Sequence, residues 1–390
     1  LMFKIRTFNT ISSHGLDSLP IPDYVVREDI TEPDALLLRS YNLHGVTFPD
    51  SVIAIARCGA GVNNIPIDAC SNRGIVVFNT PGANANSVKE LVICAMLLAS
   101  RRIVDGINWA RSLEDEDVAA VVEKGKKNFA GPEIMGKTLA VIGLGAIGVA
   151  VANAASALGM RTLGYDPFIS VSSAWGLSRE VTRATGLDEI VRSADYITLH
   201  APLNDQTHDL INASHFARMK TGVRLLNFAR GPLVNEVALL QALDGGTCAC
   251  YVTDFVDARL AQHPKVIPVP HLGASTPEAE DNCAVMAAEQ IRSYLEHGNV
   301  KNSVNFPEVR LPPRPDGYRI QVVNRNEPRM ISQLATVLAG AGLNIDNLVN
   351  KGRGALAYNV VDISSPISRS VSDQLASIDG VVRVRVIAPS

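Results

Sequence analysis

The sequence predicts an α/β fold: two doubly wound parallel-sheet units followed by a smaller βαββαβ module. Three observations carry this. Short apolar runs alternate with helix-length segments through the first 297 residues. A glycine-rich turn joins a strand to a helix at residue 143. After a proline-rich break at 306–317 the periodicity restarts with a strand–helix order of its own.

In chain order, residues 3–8 alternate apolar and polar as a strand does, and 35–38 and 52–56 are short apolar runs suited to buried parallel strands. An apolar helix covers 86–101. A second unit begins near Lys137: strand 138–142, helix 146–158, strand 161–165, then strands at 196–200, 223–228 and 250–254 with helices at 213–219 and 236–241. A helix over 277–297 follows, long enough to return to the first unit. Four prolines among residues 306–317 mark a linker. Strand 318–323, helix 328–341, strands 343–349 and 355–363, helix 371–378 and strand 381–387 then make a ferredoxin-like module. Its open sheet predicts pairing with a second copy. The expected domains are 1–98 with 281–305, 99–280, the linker 306–317, and 318–390.

Composition narrows the function classes. The chain has 390 residues, 47% hydrophobic and 19% charged, with a net charge of −3, so no basic field recommends nucleic acid or an anionic membrane. The longest apolar stretch, Leu91–Ser100, is far short of a membrane span. No leader pattern is visible, and the chain is expected to be soluble and cytoplasmic. The six cysteines form no CxxC pair, which predicts free thiols and no metal site.

The glycine turn reads Gly143-Leu144-Gly145-Ala146-Ile147-Gly148. In this strand–turn–helix setting Gly143 permits the tight turn, Gly145 lets backbone approach a pyrophosphate, and Gly148 allows close helix–strand packing. The helix start at Ala146 and Ile147 offers free N–H groups and the positive dipole end. Together these predict a Rossmann-like dinucleotide domain. Asp166, 18 residues after Gly148 at the end of the next strand, suits the adenosine ribose hydroxyls and repels a 2′-phosphate, so the predicted cofactor is NAD. His200, Ala201 and Pro202 end another strand at the same sheet edge and are expected to border it.

Two residues suggest hydride transfer on a small 2-hydroxy acid. Arg230, just past a strand, presents forked donors that match a carboxylate. His271, between an apolar run and a helix, is a natural proton acceptor near neutral pH.

These motifs, Val141–Gly148 with Tyr165-Asp166-Pro167, Ala229-Arg230-Gly231 and Pro270–Thr276, resemble those of the D-isomer-specific 2-hydroxyacid dehydrogenases, and the resemblance spans essentially the whole chain. The C-terminal module resembles an ACT regulatory domain. The resemblance implies that Arg230 binds the substrate carboxylate and carbonyl and that His271 is the acid/base. It implies that Arg57, Cys58, Gly59 and Ala60 form a substrate loop, that Arg39 and Arg57 meet a phosphate, and that Asn86 lies near the substrate. It adds Thr207, Ala229, Asp254, His271, Gly273 and Ala274 as candidate cofactor contacts, with Asp254 near the nicotinamide carboxamide. A homodimer or homotetramer is expected.

The sequence also departs from the family. Where a glutamate pairs with the histidine, this chain has Arg259; either Asp257 takes that role or the histidine works without a carboxylate. Asn235 stands where aspartate is usual. In the module, Asn326 and Asn344 match residues that hold a serine effector in related ACT domains, whereas Asn324 and Arg329 replace a histidine and a glycine. Two rival readings stay open: a reductase of an unphosphorylated acid (glyoxylate, hydroxypyruvate or 2-oxoglutarate), and a non-enzymatic NAD-sensing protein.

Overall fold

A computed structural model describes residues 2–114, 117–314 and 316–389. The chain divides into two compact units, Leu1–Ala83 with Glu280–Ser390, and Asn84–Ala279.

The first unit opens with a parallel sheet of β1 (Phe3–Phe8), β2 (Tyr24–Arg27), β3 (Ala35–Leu38), β4 (Ala54–Arg57) and β5 (Val76–Phe78), in the order β2-β1-β3-β4-β5. Ala35 to Leu38 are buried throughout, as the unbroken apolar run requires of a strand covered on both faces. One face packs on Ala284, Ala287, Ile291 and Leu295 of the helix Pro277–His297. The other packs on Leu43, Phe48, Val52 and Cys70.

The second unit holds β6 (Thr138–Ile142), β7 (Arg161–Tyr165), β8 (Thr182–Arg183), β9 (Tyr196–Leu199), β10 (Val223–Asn227), β11 (Cys248–Thr253) and β12 (Val266–Pro268). Their order is β12-β11-β10-β9-β6-β7-β8, parallel throughout. The order reverses between β6 and β9, and such a switch point opens a crevice at the carboxyl ends of the strands. The helix Ala85–Arg101, which the sequence reading kept with the first unit, belongs here. Its Val88, Val92, Ala95 and Met96 pack into the core formed by Val141, Val151, Ala152 and Leu226.

The predicted C-terminal module is present: β13 (Tyr318–Arg325), β14 (Asn347–Arg353), β15 (Leu356–Ile363) and β16 (Val381–Ile387) form an antiparallel sheet ordered β14-β15-β13-β16. The helices Met330–Gly340 and Arg369–Ala376 cover one face through Leu334, Leu338 and Leu375. The other face, expected to be open to a second copy, is covered by this chain. Val323, Tyr358 and Val360 share one core with Ile291, Tyr294, Leu295 and Phe306. Polar docking supports it. The Tyr358 hydroxyl donates to the Gly298 carbonyl (2.8 Å). Arg385 donates to the carbonyls of Tyr294 (3.1 Å) and Leu295, closing the carbonyl end of a helix. Arg383 donates to those of Arg73 (3.1 Å) and Asp50 (3.2 Å). The module and the first sheet therefore form a single compact unit.

Candidate active site

At the end of β6, Gly143 adopts φ +93°, and a side chain there would run into the His200 carbonyl 2.6 Å away. A Cβ at Gly148 would overlap the Gly143 carbonyl oxygen. At Gly145 a Cβ would meet nothing within 4 Å. The loop is therefore closed by its outer glycines and open at its middle one, leaving a cradle in front of the helix Ala146–Ala157. The unpaired N–H groups of that helix start, Ala146 and Ile147 among them, suit a pyrophosphate, so the residues present fit a dinucleotide.

Asp166 closes the loop. Its carboxylate accepts from the Leu144 N–H and from the Phe168 N–H, both at 2.8 Å. These bonds fix its orientation and leave lone pairs for ribose hydroxyls. His200 sits beside Thr198 Oγ1 at 3.0 Å, and burial pushes its imidazole down to about 4. It is a neutral group at physiological pH. Thr207 Oγ1 donates to the Pro202 carbonyl (2.6 Å) and accepts from the Asn204 N–H (2.8 Å), which ties the turn after Ala201 and Pro202.

The end of β10 presents Arg230. Buried Asn227 organises this turn: its side-chain oxygen accepts from the N–H groups of Ala229 (3.2 Å) and Arg230 (3.3 Å), and its amide donates to the Arg230 carbonyl (2.8 Å). The Arg230 guanidinium lies 6.0 Å from the centre of the Phe255 ring. The same ring meets His271 edge-on, with centres 5.0 Å apart. Phe255, not singled out in the sequence, thus packs against both candidate reactive groups.

The carboxylate beside His271 is Asp254, at the end of β11. Its Oδ2 lies 3.6 Å from His271 Nδ1, and its side chain is 2% exposed while that of His271 is 64% exposed. Burial raises the Asp254 carboxyl above the usual range, opposed by the positive charges of His271 and Arg230. Its buried Oδ1 has no hydrogen-bond partner among the described residues. Gly273 lies against this acid: a Cβ there would be 4.0 Å from Asp254 Oδ2. Ala274 follows in the same turn.

Asp257 does not take the role proposed for it. Its carboxylate caps the helix Ala258–Ala261, accepting from the N–H groups of Arg259 and Leu260 at 2.9 Å. Those bonds, Leu260's foremost, hold its carboxyl below the usual range. Neither does the histidine stand without a carboxylate, because Asp254 supplies one. Asn235, where aspartate is usual, caps the helix Glu236–Asp244.

In the first unit, the turn after β4 carries Arg57, Cys58, Gly59 and Ala60. Gly59 has φ +153°, and a Cβ there would collide with the Arg57 guanidinium folded against the turn. Burial lowers the pKa of Arg57, and its Nε has no partner among the described residues. Burial also pushes the Cys58 thiol up to about 12, so it is no nucleophile near neutral pH. Arg39 Nη1 pairs with Glu280 Oε1 at 2.6 Å, a partner the sequence did not signal.

The remaining candidates make local contacts. The Asn86 amide donates to Glu90 Oε1 (2.9 Å) on an exposed helix turn. In the C-terminal module Asn326 donates to the Gly354 carbonyl (3.3 Å) and Asn344 to Asp346 Oδ1 (3.0 Å). Arg329 precedes the module's first helix with φ +71°, a conformation natural to the glycine it replaces. Among the described residues no three His, Cys, Asp or Glu side chains gather as a metal site, and no helix is long and apolar enough to cross a membrane.

The β6-loop-helix cradle and the aspartate after β7 define a nucleotide-binding α/β domain of the NAD type. Residues 93–273 match the family described as "D-isomer specific 2-hydroxyacid dehydrogenase, NAD binding domain". Over those residues the chain is similar to the NAD-binding domain of the D-isomer specific 2-hydroxyacid dehydrogenases, and NAD is the cofactor of that domain.

Similar proteins include D-3-phosphoglycerate dehydrogenase of Bacillus subtilis, 33% identical over 79% of this chain and 60% of that protein. Another is D-3-phosphoglycerate dehydrogenase of Methanocaldococcus jannaschii, 36% identical over 72% of this chain and 53% of that protein. The chain thus spans somewhat more than half the length of these relatives. Among solved structures, NAD+-bound 3-phosphoglycerate dehydrogenase of Entamoeba histolytica is 25% identical, with a TM-score of 0.57, over 78% of this chain and 99% of that one. Apo D-mandelate dehydrogenase of Rhodotorula graminis shares the fold at 22% identity, with a TM-score of 0.66, over 80% of this chain and 99% of that one.

Proposed function

We propose that the chain is a D-3-phosphoglycerate dehydrogenase, oxidising 3-phospho-D-glycerate to 3-phosphohydroxypyruvate at the entry to serine biosynthesis. The observation that carries the chemistry is the group Arg230, His271 and Asp254 packed around Phe255. His271 Nδ1 faces the Asp254 carboxylate, which leaves Nε2 to take the C2 hydroxyl proton. The buried carboxylate then offsets the charge of the imidazolium formed. Arg230 holds the substrate carboxylate and stabilises negative charge on the C2 oxygen. NAD, when bound, supplies the acceptor for the hydride leaving C2.

The substrate assignment rests on two arginines of the first unit. Arg57 has an unsatisfied buried Nε against its own turn, and Arg39 is held by an exposed carboxylate. Both are cations suited to a phosphate. The relatives named D-3-phosphoglycerate dehydrogenase support the same reading. The test is NADH formation with 3-phosphoglycerate, D-glycerate, D-lactate and D-2-hydroxyglutarate. Higher kcat/KM on 3-phosphoglycerate, lost in Arg57→Gln, is expected. Equal or better turnover of an unphosphorylated acid would reassign the substrate, and no hydride transfer with any of them would favour an NAD-sensing role.

We further propose that Asn326 and Asn344 help the module take a serine effector. Calorimetric titration with serine should then show heat in the wild type and less in Asn326→Ala.

A further inference from the structure

Glu280 has no role in the reaction proposed above, yet it touches one of the two cations assigned to the substrate phosphate. It lies in the first turn of the helix Pro277–His297, and its Oε1 is 2.6 Å from Arg39 Nη1. The side chains of Arg39 and Glu280 are 40% and 45% exposed. A pair so exposed holds its partners weakly. Arg57 lies close enough to Arg39 that the two charges repel, and its buried Nε lacks a partner. Burial raises the pKa of the neighbouring Cys58 and Cys283 thiols. Neutral thiols supply no counter-charge, so Glu280 is the carboxylate paired with this cluster among the described residues.

We infer that Glu280 sets the specificity of the phosphate site, occupying Arg39 as an intrachain anion that a phosphate dianion displaces and a neutral hydroxyl does not. The inference rests on the reading of Arg39 and Arg57 as phosphate ligands. Two guanidinium groups and one carboxylate leave a net charge of +1 to meet a charge near −2. A substrate whose third carbon carries a hydroxyl leaves the Arg39–Glu280 pair intact. A phosphorylated one must take Arg39 from Glu280 and remain near a like charge. Glu280 therefore weakens binding of the phosphorylated acid and has little effect on its unphosphorylated analogue.

The matched substrates are 3-phosphohydroxypyruvate and hydroxypyruvate, reduced with NADH by the full chain and its Glu280→Gln variant. The KM for 3-phosphohydroxypyruvate should fall about three- to tenfold. The KM for hydroxypyruvate and both kcat values should stay within about twofold, because removing one exposed charge leaves the reacting groups in place. Inorganic phosphate, as a competitive inhibitor, should bind more tightly to the variant by a similar factor. Glu280→Ala should repeat the pattern. An unchanged or higher KM for the phosphorylated substrate, or the same shift for both substrates, overturns the inference. Arg39→Gln separates this from failure of the underlying reading: if it leaves the preference for the phosphorylated substrate intact, Arg39 is no phosphate ligand and the inference falls while the substrate assignment stands; if the wild type shows no such preference, the assignment itself falls.

Discussion

Replacing Asp254 by asparagine should separate activity from stability. The change keeps the shape of the side chain and removes its charge 3.6 Å from His271 Nδ1. At an effective dielectric of 20, unit charges at that distance attract by about 4–5 kcal/mol. Solvent reaches His271, whose side chain is 64% exposed, so we expect about 1–2 kcal/mol of that to survive screening. This corresponds to a roughly five- to thirtyfold loss of kcat/KM, with most of it in kcat. Stability should move the other way. Burial raises the Asp254 carboxyl in the folded chain, so the folded state binds this proton more tightly than the unfolded one. The contribution is favourable in acid and is lost as pH rises from the unfolded carboxyl range through the raised folded value. At neutral pH the wild type bears the cost of a buried charge that the amide lacks. Asp254→Asn should then be as stable as the wild type in urea unfolding at pH 7.5, or more so. Three results would refute the reasoning: activity within twofold of wild type, a stability loss above about 2 kcal/mol, or a raised KM for NAD at unchanged kcat. The last would make Asp254 a cofactor ligand and not the partner of His271.

The glycine loop gives a paired expectation. Gly145→Ala adds a methyl group in open space at an ordinary φ of −72°, so urea unfolding should change by less than about 0.5 kcal/mol. The KM for NAD should nevertheless rise about tenfold or more, because the pyrophosphate needs that space. His200 should make stability pH-dependent. Its folded pKa of about 4 lies below the ordinary 6.5, so stability is full above pH 6.5 and is lost as pH falls towards 4, by about 2–3 kcal/mol. His200→Gln should show a shallower loss across that window in parallel denaturation series, and equal slopes would disprove it. Arg385→Met leaves the Tyr294 and Leu295 carbonyls without this donor. It should cost about 2–4 kcal/mol, with faster hydrogen exchange in β16 and the end of the helix Pro277–His297; unchanged exchange there would mean that the docking does not depend on the guanidinium.

The readable parts of the molecule were those whose physics is local. Gly143, Gly145 and Gly148 announce a turn because backbone freedom is needed within six residues, and the strand before and helix after them lie in the same short stretch. Asp257 was also readable in principle. An aspartate before Ala-Arg-Leu-Ala is an N-cap signal, and its carboxylate is engaged by the N–H groups of that helix and not by His271. What sequence spacing could not give was the direction of Asp254, which comes from its place at the end of β11 and the packing of Phe255. The alternation Val-Arg-Val-Arg-Val in β16 reads as a solvated face, yet its arginines dock on backbone carbonyls supplied by other segments of the first unit. Period-2 patterning tells which residues share a face and is silent on what covers it. Glu280 and Arg39 are separated by 241 positions in the sequence, and a contact of that kind has no local signature. The distribution follows from the chemistry. A dinucleotide cradle is made from consecutive backbone groups, so it is legible in one motif. A proton-transfer pair or a phosphate site is assembled from side chains on separate strands and helices. This is also where Asp254 retains a buried charge that stability alone would not favour.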